Sequence, residues 1–392
     1  MTDYLIPTYS RQEVAFTKGE GSWLWDEEGK KYLDALSGIA VCGLGHAHPA
    51  VTTAIQKQAA AVIHTSNLYR IPQQEKLAEK LCKLSGMEAA FFCNSGAEAN
   101  EAAIKISRIF GNLNGIQLPT IIVAHKSFHG RTMATLSATG NEKVKLGFEP
   151  MVSGFTHVHY NDVAAIKTEI QNNSNVVAVM LEPVQGEGGV NVPDKNYLKA
   201  IKELCDENNL LLILDEIQTG IARTGKVFAY QHSDIKPDVL TLAKGLGNGT
   251  AIGACLVNDK ASKLLYPGTH GSTFGGNPLA CSAANAVLET IENENLAEHA
   301  KIMGDKITSS FEQKLADTPE VINIRNLGMM FGIELDRPCA DLVKAALESG
   351  ILINVTANSV IRLLPPINMN EEDANLMVNK VVTLIKEFLK EQ

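Results

Sequence analysis

Apolar residues along this chain alternate between short continuous runs and helically spaced segments. The run Leu210-Leu211-Leu212-Ile213-Leu214 is unbroken. It is too short for a solvent-facing helix and uniform enough for a strand buried on both faces. Residues 89–93, 120–124, 155–159, 176–181 and 239–243 predict further strands, with helical spacing over 73–84, 97–109, 163–170 and 197–207 between them. Such alternation argues for an α/β domain with a mainly parallel sheet flanked by helices. After Pro278 the pattern changes: helices over 279–292, 297–315, 340–347 and 374–389, and short strands over 321–324, 330–335, 351–355 and 360–363, make a smaller α+β unit. At the other end, Trp23-Leu24-Trp25 and Lys31-Tyr32-Leu33 flank Asp26-Glu27-Glu28-Gly29, a hairpin signal, and helical spacing returns over 51–63. The expected division is an N-terminal segment (1–71) joining the small domain, a large domain (72–292) and a C-terminal small domain (293–392).

The candidate chemistry stands at strand ends, where open parallel sheets bind ligands. The run at 210–214 ends in Asp215 and Glu216 with Gln218 close behind, and the run at 239–243 stops at Lys244, before Gly245, Gly247, Asn248 and Gly249. An acid and an amine so placed also read as a buried ion pair. A third strand end weighs against the ion pair: 89–93 runs into Asn94-Ser95-Gly96-Ala97 and then a helical pattern. Small residues opening a helix present free N–H groups at its positive dipole end, which suits a phosphate. Phosphate cradle, carboxylate and strand-end lysine together describe a pyridoxal phosphate (PLP) site, in which the lysine holds the aldehyde as a Schiff base and the acid pairs with the pyridinium nitrogen. A carboxylate about 4 Å away favours that cation by roughly 4 kcal/mol before desolvation is subtracted, or about three pKa units.

The runs Asn94-Ser95-Gly96-Ala97-Glu98-Ala99-Asn100-Glu101, Phe128-His129-Gly130-Arg131-Thr132, Glu182-Pro183-Val184-Gln185-Gly186-Glu187-Gly188-Gly189, Leu214-Asp215-Glu216-Ile217-Gln218-Thr219-Gly220, Ala243-Lys244-Gly245 and Ser272-Thr273-Phe274-Gly275-Gly276-Asn277-Pro278 resemble the class III, ornithine-type aminotransferases. The similarity extends from about Trp23 to about Pro366, with the motifs in the family's order. It implies a PLP fold-type I homodimer that moves the δ-amine of N2-acetyl-L-ornithine to 2-oxoglutarate, as in arginine biosynthesis; ornithine, succinylornithine and 4-aminobutyrate are the rival amine donors. Lys244 is implied as the Schiff-base and proton-transfer residue. Ser95, Gly96, Ala97, Phe128, Asp215, Gln218 and Thr273 are implied cofactor contacts, Phe128 stacking on the ring and Thr273 reaching the phosphate in the neighbouring subunit. Arg131 is implied to grip a substrate carboxylate, Arg362 to take the α-carboxylate of 2-oxoglutarate, Glu187 to neutralise Arg362 when the reacting amine is not an α-amine, and Ser272 to lie near the substrate. A buried arginine within Val360-Ile361-Arg362-Leu363-Leu364 needs such a partner on physical grounds alone.

Composition narrows the rest. The 392 residues carry a formal net charge of −9 with no long basic run, which argues against nucleic-acid binding. The N-terminus has no basic leader and no apolar stretch reaches membrane-span length, so a soluble cytoplasmic protein is expected. Seven cysteines are widely spaced without a C-x-x-C pair and read as core residues. His46/His48 and His157/His159 have no third ligand at metal spacing, so no metal is expected. A dinucleotide-binding oxidoreductase is the rival of another class, but the turn at Ser95-Gly96-Ala97 lacks G-x-G-x-x-G.

Overall fold

A computed structural model describes residues 4–390. Seven strands form the large sheet in the order Ala89–Cys93, Gly253–Val257, Val239–Leu242, Leu211–Asp215, Val176–Leu181, Thr120–Ala124, Phe155–Val158. The last five are mutually parallel. Every position of Val176–Leu181 and Leu211–Asp215 is buried, as their unbroken apolar runs require of strands covered on both faces. The second of these begins one residue later than the sequence suggests and takes Asp215 into the ladder, so that the carboxylate leaves the sheet at its edge.

Strand Gly253–Val257 has no counterpart in the sequence expectation. It lies between Ala89–Cys93 and Val239–Leu242 and runs antiparallel to both. The glycine-rich turn after Lys244 reverses the chain within a few residues, so no crossover helix is needed and an antiparallel return is available. The cradle strand and the lysine strand therefore end on the same side of the sheet with one strand between them.

Helix Gly96–Leu113 is capped by Ser95, whose hydroxyl accepts from the Glu98 N–H at 3.2 Å, and helix Pro278–Asn293 is capped by Asn277, which accepts from the Ala280 N–H at 2.9 Å. Both caps lie in runs that the sequence singles out for chemistry.

Two smaller sheets complete the chain. Phe16–Glu20, Trp23–Asp26 and Lys31–Asp34 form the N-terminal meander, joined in parallel by Ile351–Leu352. Val321–Leu327, Met330–Leu335, Val360–Leu363 and Asn354–Thr356 form an antiparallel C-terminal sheet. The single strand expected over 351–355 is thus divided, with buried Ile353 at the corner. A chain at such a corner satisfies its backbone groups in two sheets in turn.

Candidate active site

The strand ends open into a cavity of about 410 Å³. Ser95, Gly96 and Ala97 line it at the head of an 18-residue helix, whose first N–H groups have no partner within the helix. A side chain at Gly96 would meet Ile217 Cδ1 at 2.7 Å; its absence lets the Ile217 side chain pack against the turn. Lys244 follows Val239–Leu242 with φ +40°, a left-handed backbone that non-glycine residues hold mainly at constrained sites. Burial lowers its ammonium below the usual range; Glu187 pulls it back up, Arg362 pushes it further down, and Asp215 and Glu182 raise it. Phe128, Arg131, Glu187, Asp215 and Gln218 face the same space, and the Arg131 guanidinium sits 5.6 Å from the centre of the Phe128 ring.

Asp215 is almost wholly buried and engaged on both oxygens. Oδ2 accepts from Asn100 Nδ2 at 2.8 Å and lies 2.8 Å from His129 Nδ1, while Oδ1 accepts from the Ile217 N–H at 3.1 Å. Asn100 is itself oriented, donating to His129 O at 2.7 Å and accepting from Thr241 Oγ1 at 2.7 Å. Burial by itself lowers the His129 imidazole, but the hydrogen bond and charge of Asp215 outweigh it and the net direction is upward. Glu182 joins two walls: Oε2 accepts from the Phe128 N–H at 3.1 Å and Oε1 from the Gly186 N–H at 3.3 Å. Burial pushes its carboxyl up to about 7, with His129 pulling it down. His129, Asn100 and Glu182 stand inside the motifs of the sequence without an expected role. Helical spacing turns Asn100 inward, whereas His129 and Glu182 lie in irregular segments just outside strands and helices and carry no periodic signal.

Arg362 on Val360–Leu363 is fully buried, and its Nη1 donates to Glu187 Oε1 at 2.6 Å. Its Nε donates to Asn354 Oδ1 at 2.9 Å, Nη1 also reaches Gln218 Oε1 at 3.4 Å, and Nη2 has no partner among the described residues. Burial would raise the Glu187 carboxyl, but Arg362 overrides it and holds it low. Three sequence-predicted residues do not line the cavity: Arg362, which meets it through Glu187 and Gln218, and Thr273 and Ser272. Thr273 is exposed. Ser272 lines a neighbouring cavity, its hydroxyl accepting from Asn94 Nδ2 at 3.1 Å and from the Gly275 N–H at 3.0 Å.

A helix N-terminus with no side chain at Gly96, an aromatic ring, a recessed amine and the Asp215 carboxylate line one cavity and fit the phosphate, ring, aldehyde and ring nitrogen of PLP. On a mainly parallel sheet, that is the architecture of the fold-type I PLP enzymes. The family model described as aminotransferase class III matches residues 6–385, and the chain belongs to that family. It is 54% identical to the acetylornithine aminotransferase of Nitrosomonas europaea over 99% of this chain and 98% of that one. With that of Methanocaldococcus jannaschii it shares 47% over 99% and 97%. Among solved structures, ornithine aminotransferase from Toxoplasma gondii superposes with TM-score 0.95 at 34% identity, covering 99% of this chain and 94% of that one. Acetylornithine aminotransferase from Elizabethkingia anophelis gives TM-score 0.87 at 35% identity, covering 98% and 96%.

Proposed function

We propose that this chain is a PLP-dependent aminotransferase that moves the δ-amine of N2-acetyl-L-ornithine to 2-oxoglutarate, giving N-acetylglutamate 5-semialdehyde and glutamate. The acetylornithine aminotransferases at 54% and 47% identity support the substrate. The observation that carries the reading is the 2.6 Å pair between Arg362 and Glu187 beside Lys244. One pocket has to accept a donor whose reacting carbon bears no carboxylate, and afterwards an acceptor whose reacting carbon does. With the first, Glu187 neutralises the buried guanidinium, which costs several kcal/mol if left unpaired. With the second, the incoming α-carboxylate takes Glu187's place and finds Nη2 still free. Arg131, at the Phe128 wall, grips the remote carboxylate through paired N–H donors, a geometry lysine lacks.

Lys244 would hold PLP, which when bound would supply an electron sink. The rest is done by side chains of this protein. Asp215, held by Asn100 and His129, would present its carboxylate to the ring nitrogen. Burial lowers the Lys244 ammonium, which favours proton release, and the amine moves a proton from the amine-bearing carbon as base and then acid, a role typically worth about 100- to 10,000-fold. Phe128 holds one ring face and Gln218 lies beside Arg362.

The division into an N-terminal segment (1–71), a cofactor-binding domain (72–292) and a C-terminal domain (293–392) belongs to this proposal, as does a homodimer. Leu68, Tyr69, Tyr266 and Phe274 are 86%, 71%, 66% and 62% exposed, and Asn67 Nδ2 ties their segments together by donating to Gly275 O at 2.9 Å. Apolar exposure on this scale marks an interaction surface; a second copy covering it brings Thr273 to the neighbouring cofactor. Steady-state rates with N2-acetylornithine, ornithine and 4-aminobutyrate, each against 2-oxoglutarate, test the reading. A kcat/KM for 4-aminobutyrate equal to that for N2-acetylornithine overturns it.

A further inference from the structure

Glu187 rides on a glycine-rich loop whose own bonds gather at its ends, Gly186 N–H to Glu182 Oε1 at 3.3 Å and Asn191 Nδ2 to Gly188 O at 3.1 Å. Residues 186–190 are closed at the base by paired backbone bonds, Gln185 N–H to Asn191 O at 3.1 Å and Asn191 N–H to Gln185 O at 3.0 Å. Within the loop, Gly186, Gly188 and Gly189 lose more conformational freedom on ordering than any other residue type. Val190 is fully buried at φ +53°, a conformation that a β-branched residue keeps only where its surroundings dictate it.

Most of those surroundings come from the C-terminal sheet that also carries Arg362. Arg325, on Val321–Leu327, donates from Nε to Gly189 O at 3.1 Å and to Val190 O at 2.9 Å, and Nη2 also donates to Gly189 O. Thr356, on Asn354–Thr356, donates its hydroxyl to Glu187 O. The guanidinium is aimed from behind: Nη1 donates to Glu334 Oε2 at 2.6 Å and to Asn323 Oδ1 at 3.3 Å. One planar fork thus spans two successive carbonyls and a carboxylate, which a single ammonium cannot do. The backbone that bears Glu187 is thereby fastened to the sheet that bears Arg362, across more than a hundred residues of sequence, and side-chain torsions are left as the gate's moving part.

We infer that Arg325, seconded by Thr356, is a positioning residue that sets how the enzyme discriminates between its two amine donors, by holding the Glu187 backbone in register with Arg362. This rests on the gate reading proposed above. Without the clamp, the loop is free to carry Glu187 away from a 2.6 Å contact, and the donor without an α-carboxylate meets an unpaired arginine. Glutamate supplies its own carboxylate and is indifferent.

The test mixes PLP-loaded enzyme with N2-acetylornithine or with glutamate and follows the loss of the cofactor's absorbance band, so that each half-reaction is read separately. Arg325→Ala is expected to slow the N2-acetylornithine half-reaction roughly tenfold, the scale of one charge-assisted hydrogen bond, and to leave the glutamate half-reaction within about twofold. Thr356→Val, which keeps the shape, is expected to move the ratio in the same sense by less. Glu334→Gln, which leaves the donors to the loop, keeps it near wild type. In a Glu187→Gln background Arg325→Ala is expected to add no change in the ratio. An equal fall in both rates with Arg325→Ala and no shift with Thr356→Val overturns the inference, as does a full Arg325 effect in the Glu187→Gln background. If Glu187→Gln moves the ratio and neither clamp variant does, the clamp falls and the gate stands. If Glu187→Gln itself leaves the ratio unmoved, the gate falls and takes the clamp with it.

Discussion

Replacing Asp215 by asparagine removes a buried charge and keeps its shape, and the surroundings decide which way the new amide turns. Asn100 Nδ2 and His129 Nδ1 both lie 2.8 Å from Oδ2, whereas Oδ1 meets only the Ile217 N–H, at 3.1 Å. An NH2 group on the first side would face two donors, so the amide oxygen stays there and the NH2 turns toward the cavity. In that orientation it donates to the cofactor's ring nitrogen, a bond that an unprotonated nitrogen accepts and a protonated one cannot. The lost attraction is about 4 kcal/mol at contact distance and an effective dielectric near 20, or about three pKa units of ring basicity. Proton removal at the amine-bearing carbon is therefore expected to slow by about 100- to 1,000-fold. Cofactor affinity falls much less, because the cradle at Ser95, Gly96 and Ala97 is untouched. Single-turnover mixing with N2-acetylornithine measures the first quantity and equilibrium dialysis of PLP the second. A variant that binds PLP and reacts within about twofold of wild type would falsify the assignment of Asp215 as the ring's counter-charge.

Lys244→Ala loses both the covalent link and the proton-carrying amine; turnover should vanish, along with the absorbance band that borohydride abolishes, and a variant retaining either removes Lys244 from the mechanism. Glu187→Gln should slow the N2-acetylornithine half-reaction while the glutamate half-reaction holds or improves, since an unpaired buried arginine commonly costs about 3 to 5 kcal/mol; an equal fall in both would make Glu187 a purely structural carboxylate. Glu216 tests burial against pH: buried, and accepting from the Ala229 N–H at 2.6 Å and the Tyr230 N–H at 2.8 Å, its carboxyl is pushed by burial from the usual 4.5 up to about 7. A raised folded-state value means that its stabilising contribution is complete below pH 4.5 and is lost as pH rises through 7. Wild type should therefore shed about 3 kcal/mol across that window that Glu216→Gln does not, and thermal melts of the two proteins that stay parallel from pH 5 to 8 refute the burial argument.

Much of the site is legible in one dimension because its chemistry is local. A strand buried on both faces announces itself by continuous apolar character, and the first polar residue after it, Asp215 or Lys244, must stand at the sheet's edge. The small residues of Ser95-Gly96-Ala97 mark a helix start by the same local logic. Pairing across the sheet obeys no such rule. Nothing in Gly253–Val257 says that it runs antiparallel between the cradle strand and the lysine strand, because five apolar residues pair equally well in either sense until their neighbours are chosen. The break between Ile351–Leu352 and Asn354–Thr356 is invisible for the same reason: each half finds its partner in a different sheet. Tertiary structure alone brings His129 and Asn100 onto Asp215, from 86 and 115 residues away, and Arg325 onto the Glu187 loop. Residue type tells that a buried polar group must find a partner; which partner it finds is decided only when the chain has closed.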